Sequence, residues 1–390
     1  MSCGKILAGK RSEEADANVR PEGLPRSNRR SRNITLIPAL AFFSVVMRCW
    51  PQERPDLNTY LKDYIRLSDD QIKAIHSGKA VTKALHSRTP AEVFLFGIVY
   101  LHATPETYVH FATDFDRLRK TDGYLAIGTF STPPVFADLN GFTLDRDDIN
   151  SLRKCKPRNC QVQMPESSML NIRQSIDWSA ANSAEQVNQV LQREALERLD
   201  AYQRDGNVAL GTYNDKQHPT DVAAQFRYML TYSRILPAHL PDFYNHLLSF
   251  PNQKPSNVDD SIYYWANVKF GLKPTLRIVH LITMRGNIGG DPAYVIAEKQ
   301  LYASHYFQTA LDLTFCISDT SGPEQRGFYL IKVMGSEQEG LTGFKGSIVR
   351  RVAVNRSLAA LQKSLEEMKS TMEDTSTRTS DTIRYKRSPR

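Results

Sequence analysis

Residues 93–118 read VFLFGIVYLHATPETYVHFATDFDRL. The first nine are nearly all apolar and mostly β-branched or aromatic, which predicts a strand that is buried on both faces or lines a cavity. Thr104 then occupies a helix N-cap position, and Pro105 follows at the first helical position. Apolar residues recur at helical spacing from there to Leu118. The stretch therefore predicts a buried strand that leads directly into an amphipathic helix.

The middle of the chain predicts mainly helices. Residues 119–178 look irregular, whereas 183–204, 221–235 and 241–248 show helical periodicity. A short strand is expected at 208–213, and a polar helical stretch is expected before the first strand, at 56–86.

The last third of the chain predicts a sheet followed by one helix. Strands are expected at 275–284, 294–302, 306–317 and 327–334, and their short connections indicate an antiparallel meander. In the third strand, apolar residues alternate with Gln308, Asp312 and Thr314, which is typical of a half-buried strand. Leucines and methionines from Leu358 to Met372 then step by three and four, which predicts a long amphipathic helix.

This order of elements, together with FGIVYLHATPETYVHFATDF at residues 96–115, resembles the START-like (helix-grip, SRPBCC-type) superfamily. The resemblance implies an α+β fold in which an antiparallel sheet wraps a long C-terminal helix and encloses an apolar cavity. It covers residues 90–372 in outline, with a large, mostly helical insertion at about 119–262. A helical extension at 49–89 precedes this domain, and a basic tail at 373–390, expected to be disordered, follows it.

Two shorter stretches carry a narrower resemblance. Residues 264–274 (YWANVKFGLKP) and 299–307 (KQLYASHYF) are similar to stretches in a family of uncharacterised exported bacterial proteins. No known reaction of that family can be assigned to this chain. The superfamily implies hydrophobic-ligand binding in many members, but also cyclases, hydrolases and assembly factors, so the resemblance alone leaves the function open.

Residues 1–48 combine a basic, polar leader with an uncharged apolar run of fourteen residues, 34–47. A membrane-spanning helix needs about 20 apolar residues, so the layout favours a secretory signal peptide over a stable span, although no clean Ala-x-Ala site follows. We expect an exported protein, periplasmic or extracellular, or one associated with a membrane through this segment. A cytoplasmic protein with an apolar N-terminal element is the alternative.

The net charge of +8 belongs to the two ends of the chain. Residues 1–48 carry +5 and residues 369–390 carry +3, which leaves 35 charges of each sign between them. A surface that neutralises phosphates is therefore not indicated, and we expect no nucleic-acid partner. The basic residues Lys345, Arg350, Arg351 and Arg356 suit an anionic headgroup near the cavity mouth, but a solvated helix face explains them more simply.

The cysteines and carboxylates do not indicate a metal site. Cys155 and Cys160 flank the loop CKPRNC and predict a disulfide if the compartment is oxidising, or two ordinary thiols if it is reducing. Two cysteines are too few for a closed zinc site. Asp145, Asp147 and Asp148 lack the frame of a calcium loop and instead predict an N-cap for a short helix at 147–153.

The chain contains no HExxH, GxSxG, GxGxxG, Walker A or EF-hand pattern. Enzyme activity is therefore uncertain, a non-enzymatic role is favoured, and no cofactor or metal is expected. Buried imidazoles can orient a ligand or act as general bases, although a histidine satisfied by its neighbours is the simpler interpretation. The candidate cavity residues are Tyr264, Trp265, His280, Tyr302, His305, Tyr306 and Phe315.

These observations predict a protein that binds a hydrophobic small molecule or a lipid between its sheet and its C-terminal helix. One alternative is a hydrolase- or cyclase-type enzyme that uses cavity histidines and tyrosines as an acid–base pair. The other is a cell-envelope interaction protein that acts through exposed apolar residues of its helical insertion. The sequence does not indicate an oligomeric state.

Overall fold

The computed structural model describes residues 56–270, 273–321, 327–338 and 340–386, with side chains described up to Asp374 except at position 344. The predicted leader at 1–48 and residues 49–55 of the predicted extension lie outside the described residues. Within the described part of the chain, no helix is both long enough and apolar enough to cross a membrane.

An eight-stranded, open, antiparallel sheet forms the centre of an α+β fold, with the strand order β1-β2-β10-β9-β8-β7-β6-β3. Its strands are β1 Val81–Leu85, β2 Glu92–Leu101, β3 Tyr124–Thr129, β6 Val258–Phe270, β7 Lys273–Ile288, β8 Asp291–Ala303, β9 Phe307–Ser318 and β10 Phe328–Gln338. The short strands β4 Thr212–Tyr213 and β5 Thr220–Asp221 pair separately.

The helices precede, interrupt and follow this sheet. They are α1 Leu57–Thr59, α2 Asp69–His76, α3 Pro105–Thr113, α4 Phe115–Arg119, α5 Arg146–Leu152, α6 Glu166–Ser175, α7 Ser183–Asp205, α8 Val222–Thr231, α9 Ile235–His239, α10 Pro241–Ser249 and α11 Gly343–Lys386. A π-helical segment lies at Tyr60–Tyr64, and 3₁₀ turns lie at Phe136–Leu139 and Gly206–Leu210.

The junction between β2 and α3 forms as the sequence predicts. Every residue of β2 is buried, because β1 and β10 pair on its two sides and both faces of the sheet are covered there. The Thr104 hydroxyl accepts a hydrogen bond from the backbone N–H of Thr107, and Pro105 occupies the first turn of the helix. Asp145 likewise caps α5 by accepting from the N–H of Asp148.

The two faces of the sheet pack against different layers. On one, which we call the α11 face, buried side chains such as Leu95 and Leu330 meet α3, α4 and α11. On the other, the insertion face, Phe96 and Phe315 pack against α2 and α8–α10, and Trp265 packs against α5–α7. Because both faces are covered, the sheet is a middle layer between two helical layers.

Two local predictions are wrong, because strand pairing is long-range. Residues 124–129, predicted to be irregular, form β3, which pairs with β6 across a sequence separation that no local pattern reveals. The mostly helical segment between β3 and β6, which we call the insertion, runs from 130 to 257. Val81–Leu85, within the predicted helical extension, pairs with β2 as an edge strand. The strand expected at 208–213 forms at Thr212–Tyr213, whereas residues 208–210 belong to a 3₁₀ turn.

Helix α11 contains the predicted apolar stripe, of which Leu361, Leu365 and Met372 are buried. It is described to Lys386, and the disorder expected of residues 373–390 stays a prediction.

A disulfide joins Cys155 and Cys160, whose Cα atoms are 4.5 Å apart, the pair suggested by the sequence. The bridge closes the loop between α5 and α6, and both residues are buried among the insertion helices. Cys316 is a free, buried cysteine on the α11 face.

Candidate functional site

Two adjoining cavities lie between the α11 face of the sheet and α11 itself. The first has a volume of about 350 Å³, and its walls include Leu95, Phe270, Phe307 and Leu361. The second, of about 520 Å³, extends toward α3 and α4. Both are lined by Lys332 and Ser364, so they meet at the middle of the helix. Their volumes are those of small-molecule sites.

Arg117 of α4 and Glu367 of α11 line the second cavity. The sheet itself contributes four charged side chains to the two cavities, and we call them the charged cluster: Arg277, Glu298, Asp312 and Lys332. They come from β7, β8, β9 and β10, which are consecutive neighbours in the sheet. Glu298 lies directly opposite Asp312 in the register. Because side chains alternate between the faces of a strand, one charged position on each strand brings all four together under the helix.

The charges of the cluster shift one another's pKa values. Burial and the nearby Glu298 carboxylate raise the pKa of Asp312 from 3.8 to about 6. Burial disfavours the charged form of Lys332, yet Tyr108, Glu298 and Asp312 outweigh it and raise the pKa of this lysine. The pKa of Arg277 rises in the same way: its burial is outweighed by Tyr264, Asp312 and Glu298. Both basic residues are therefore held as cations, whereas Asp312 titrates close to neutral pH.

The hydrogen bonds within the cluster are incomplete among the described residues. The Tyr264 hydroxyl donates to Glu298 Oε1 at 2.8 Å, so this carboxylate has a fixed partner. Arg277 Nε and Gln300 Oε1 are buried with no hydrogen-bond partner in the described part of the chain. Because both residues line the first cavity, a bound molecule or water can supply the missing partners.

Of the predicted cavity residues, only Tyr264 belongs to the α11 face. Trp265 lies on the insertion face, where its ring covers Gly128 and its Nε1 donates to the Asp138 carbonyl at 2.7 Å. Phe315 is fully buried against the α8–α10 layer, and Tyr302 packs beside α7 around a space of only about 20 Å³. Tyr306 has a left-handed backbone (φ 62°), and its hydroxyl accepts from the N–H of Lys273.

His280 belongs to a buried polar network on the insertion face. Its Nδ1 lies 3.1 Å from the Tyr202 hydroxyl, and its Nε2 lies 2.8 Å from the Ser261 hydroxyl. Lys299 Nζ donates to Tyr202 at 3.2 Å and also to the Asn207 side-chain oxygen. Burial lowers the pKa of both His280 and Lys299 well below their ordinary values. Neither residue lines a described cavity, so this network is packed and not open.

His305 forms a separate pair with Asp148. Its Nε2 lies 2.6 Å from Asp148 Oδ2, and Lys273 Nζ lies 2.6 Å from the other carboxylate oxygen. Burial alone would raise the pKa of Asp148, but the hydrogen bonds from these two residues lower it. The pair ties the loop after β8 to α5. The two predicted histidines therefore lie in different clusters, and neither lines the cavities under α11.

Arg277, Glu298, Asp312 and Lys332 are not among the cavity residues that the sequence predicts. Each stands on a strand among apolar neighbours, a pattern that predicts one face toward water. The detectable signal was that all four lie in the predicted meander and that the next element is a helix with a single apolar stripe. Only the placement of that helix over the charged face makes the face part of a cavity.

The described residues contain no group of three or more histidine, cysteine or acidic side chains arranged to hold a metal ion. Fold and site together define an α+β protein with an amphipathic cavity under its C-terminal helix. No protein-family model, curated protein or solved structure matches this chain.

Proposed function

We propose that this protein binds a lipid-like amphipathic molecule in the cavities between its sheet and α11. The observation that carries the proposal is a pair of adjoining cavities, the first with largely apolar walls and the second with mixed walls, that share one charged cluster. A purely structural interface between a helix and a sheet would be filled by side chains at near-crystalline density. Space of several hundred Å³ beside buried charges suits a ligand better than an empty core.

The apolar part of the ligand would contact Leu95, Phe270, Phe307 and Leu361, which line the first cavity. Its polar end would meet the charged cluster. Since Glu298 already accepts from Tyr264 while Arg277 Nε lacks a partner in the described structure, an anionic oxygen fits best, with a carboxylate as the simplest case. Protonation of Asp312 would remove a negative charge from the cluster and so reduce the repulsion of an anionic ligand group.

The relationship to START-like proteins is part of the same proposal. It is supported by the element order: a first long strand, a capped helix, a set of antiparallel strands and a final helix over one face. The cavity between that helix and the sheet supports it further. Binding of a hydrophobic molecule is a common role in that superfamily, so fold and cavity favour the same class of ligand.

Export is also proposed, since the disulfide between Cys155 and Cys160 suits an oxidising compartment. N-terminal sequencing of the protein from its native host tests this proposal. A mature N-terminus beyond residue 47, after the apolar run, supports it, and an intact leader on a protein recovered from the cytoplasm contradicts it.

Ligand binding is tested with a pair of serine variants on one helix. Ser364 is half-buried and lines both cavities, whereas Ser370 is exposed and lines neither. The full chain should carry an amphipathic molecule in native mass spectrometry. Ser370→Phe should retain it, and Ser364→Phe should lose most of it. A wild-type protein without any ligand, or equal occupancy in the two variants, would contradict the proposal.

The polar end is tested with a long-chain fatty acid and its methyl ester as matched probes. We expect the wild-type protein to bind the acid about tenfold more tightly than the ester, since a hydrogen bond to a charged group contributes roughly 1.5–3 kcal/mol. Arg277→Gln should remove most of this preference while the ester binds as before. Equal affinities for both probes in the wild-type protein would exclude an anionic headgroup.

A further inference from the structure

The outward side of the first half of α11 carries an unusual surface. Three aliphatic side chains are exposed there: Ile348 by 59%, Val349 by 52% and Val352 by 46%. They lie on the side of the helix opposite Val354 and Leu361, which are buried against the sheet. Three of the large apolar side chains most exposed in the described residues thus form one patch on a single helix.

Basic residues flank this patch on the same side of the helix. Lys345 precedes it by one turn, and Arg356 and Lys363 follow at helical spacing, all exposed. From 340 to 365 the sequence contains five lysines and arginines and no aspartate or glutamate. Of the five, Arg350 points inward and donates to the carbonyls of Pro90 and Glu92. We call the surface formed by Lys345, Ile348, Val349, Val352, Arg356 and Lys363 the basic outer stripe.

We propose that the basic outer stripe docks on a membrane surface that contains anionic lipids, with α11 lying in the plane of the interface. Aliphatic residues on such a helix enter the boundary between headgroups and acyl chains, while basic side chains reach the phosphates. Membrane docking is a function separate from ligand binding, because the exposed aliphatic and basic residues of the stripe do not line the cavities.

A second copy of this chain is a less favourable partner for the basic outer stripe than an anionic membrane. Pairing two stripes would place Lys345, Arg356 and Lys363 against one another, and like charges at a contact are unfavourable. An anionic surface complements both the aliphatic and the basic residues.

The docked orientation would also bring the α11 side of the first cavity close to the membrane. Ser357, Ala360 and Ser364 line the first cavity from the same helix, one to three turns beyond Val352. A lipid-like molecule would then pass between bilayer and cavity without crossing water. That passage depends on the proposed ligand, whereas docking does not.

The test uses the full chain and vesicles of phosphatidylcholine with or without phosphatidylserine. Co-sedimentation should require phosphatidylserine and weaken with added salt. Val349→Ser combined with Val352→Ser should reduce binding several-fold, and Lys345→Gln combined with Arg356→Gln should reduce it by roughly tenfold or more. Val208→Ser is the matched control: Val208 is 83% exposed, lies in the insertion, and its replacement should leave binding unchanged.

Hydrogen-exchange mass spectrometry then locates the contact. Residues 345–356 should become protected on the anionic vesicles. Protection confined to residues 1–55, or equal binding by the wild-type protein and both double variants, would overturn the proposal. So would a dimer that forms without vesicles and that the valine double variant abolishes, because the patch would then face a second copy. Ligand content in native mass spectrometry is measured on the same variants, so failure of docking and failure of ligand binding are distinguishable.

Discussion

Asp312 and Lys299 are buried ionisable side chains on opposite faces of the same sheet, and their surroundings differ. Asp312 shares the cavity with Arg277 and Lys332, so its charge has nearby opposites. Within the described part of the chain, Lys299 Nζ donates to two neutral partners, the Tyr202 hydroxyl and the Asn207 amide, and it lies 4.0 Å from the centre of the Phe226 ring. Each residue should therefore make the free energy of unfolding depend on pH in its own way.

Asp312→Asn should stabilise the protein at neutral pH. The pKa of Asp312 is raised from 3.8 to about 6, so between these values the folded state holds more protons than the unfolded state. Stability is then lost as pH rises through this window. Removing the carboxylate should recover on the order of 1–2 kcal/mol, less than the full shift because the cavity contains open space.

Urea unfolding of the wild-type protein and Asp312→Asn, at several pH values between 4 and 8, measures this effect, with the exposed Asp374→Asn as the control. A variant that is less stable than the wild-type protein at neutral pH would show that ion pairing with Arg277 and Lys332 outweighs the burial of the carboxylate.

Lys299→Met should remove a pH dependence of the opposite sign. Burial lowers the pKa of Lys299 far below 10.5, so above its folded-state pKa the unfolded state binds more protons. Stability therefore rises as pH increases toward 10.5. The melting temperature of the wild-type protein should rise between neutral pH and pH 9. Lys299→Met should melt at a higher temperature than the wild-type protein at neutral pH, and its melting temperature should change less with pH. Lys363→Met, at an exposed position on α11, should keep the wild-type slope.

At the scale of elements, the packing of α11 on β2 depends on Gly97. A Cβ atom at this position would lie 2.8 Å from Leu365 Cδ1 and 3.0 Å from Leu361 Cδ2. The absence of a side chain therefore sets how closely the helix approaches the strand. The distance between α11 and β2 also limits the size of the first cavity, because Leu361 of α11 is one of its lining residues.

Gly97→Val should lift α11 and destabilise the protein by about 1–3 kcal/mol, the usual cost of overpacking. Chemical unfolding measures the loss, and ligand occupancy should fall with it. Gly123→Ala is the control, because a Cβ atom there meets nothing within 4 Å. Full stability and full occupancy in Gly97→Val would mean that the helix is not held at this distance.

The elements that the sequence predicts well are those with strong local periodicity. Strands β2 and β7–β10, together with α7 and α11, lie where the apolar pattern places them. Strand β6 is not predicted because its first part, beginning Val258-Asp259-Asp260, is polar and exposed. Strand β3 is short and depends on a partner more than 130 residues away.

The sequence predicts where the candidate site lies but not which residues form it. The sequence predicts a cavity between sheet and C-terminal helix, and the structure contains space there. Trp265, Tyr302, Phe315 and His280 face the opposite layer, and His305 pairs with Asp148 of α5. An alternating strand does not reveal which of its two faces the helix will cover, so the pattern favours large apolar residues over charged ones as candidates for lining a cavity.

At the scale of the whole molecule, one sheet separates two layers that differ in where space and charge meet. Beside α7 and α10, the insertion face is closed by stacked and edge-on rings, such as Tyr202 against Phe250 at 4.8 Å between centroids, and a cavity of about 230 Å³ lies beside α2. The α11 face has two larger adjoining cavities, of about 350 and 520 Å³, that share its charged cluster. The stability of the α11 layer should therefore depend on what occupies this space.

Removal of the bound molecule should lower the melting temperature by several degrees. A ligand that binds only the folded state stabilises it by RT ln(1 + [L]/Kd), or about 2.7 kcal/mol at a hundredfold excess over Kd. Protein stripped of ligand by organic extraction or refolding should melt earlier and regain its melting temperature when a long-chain fatty acid is added. Ser364→Phe, whose ring fills the junction of the two cavities, should not respond to the acid, while Ser370→Phe should respond like the wild-type protein. Identical melting of stripped and loaded wild-type protein would mean that this layer is stable without an occupant.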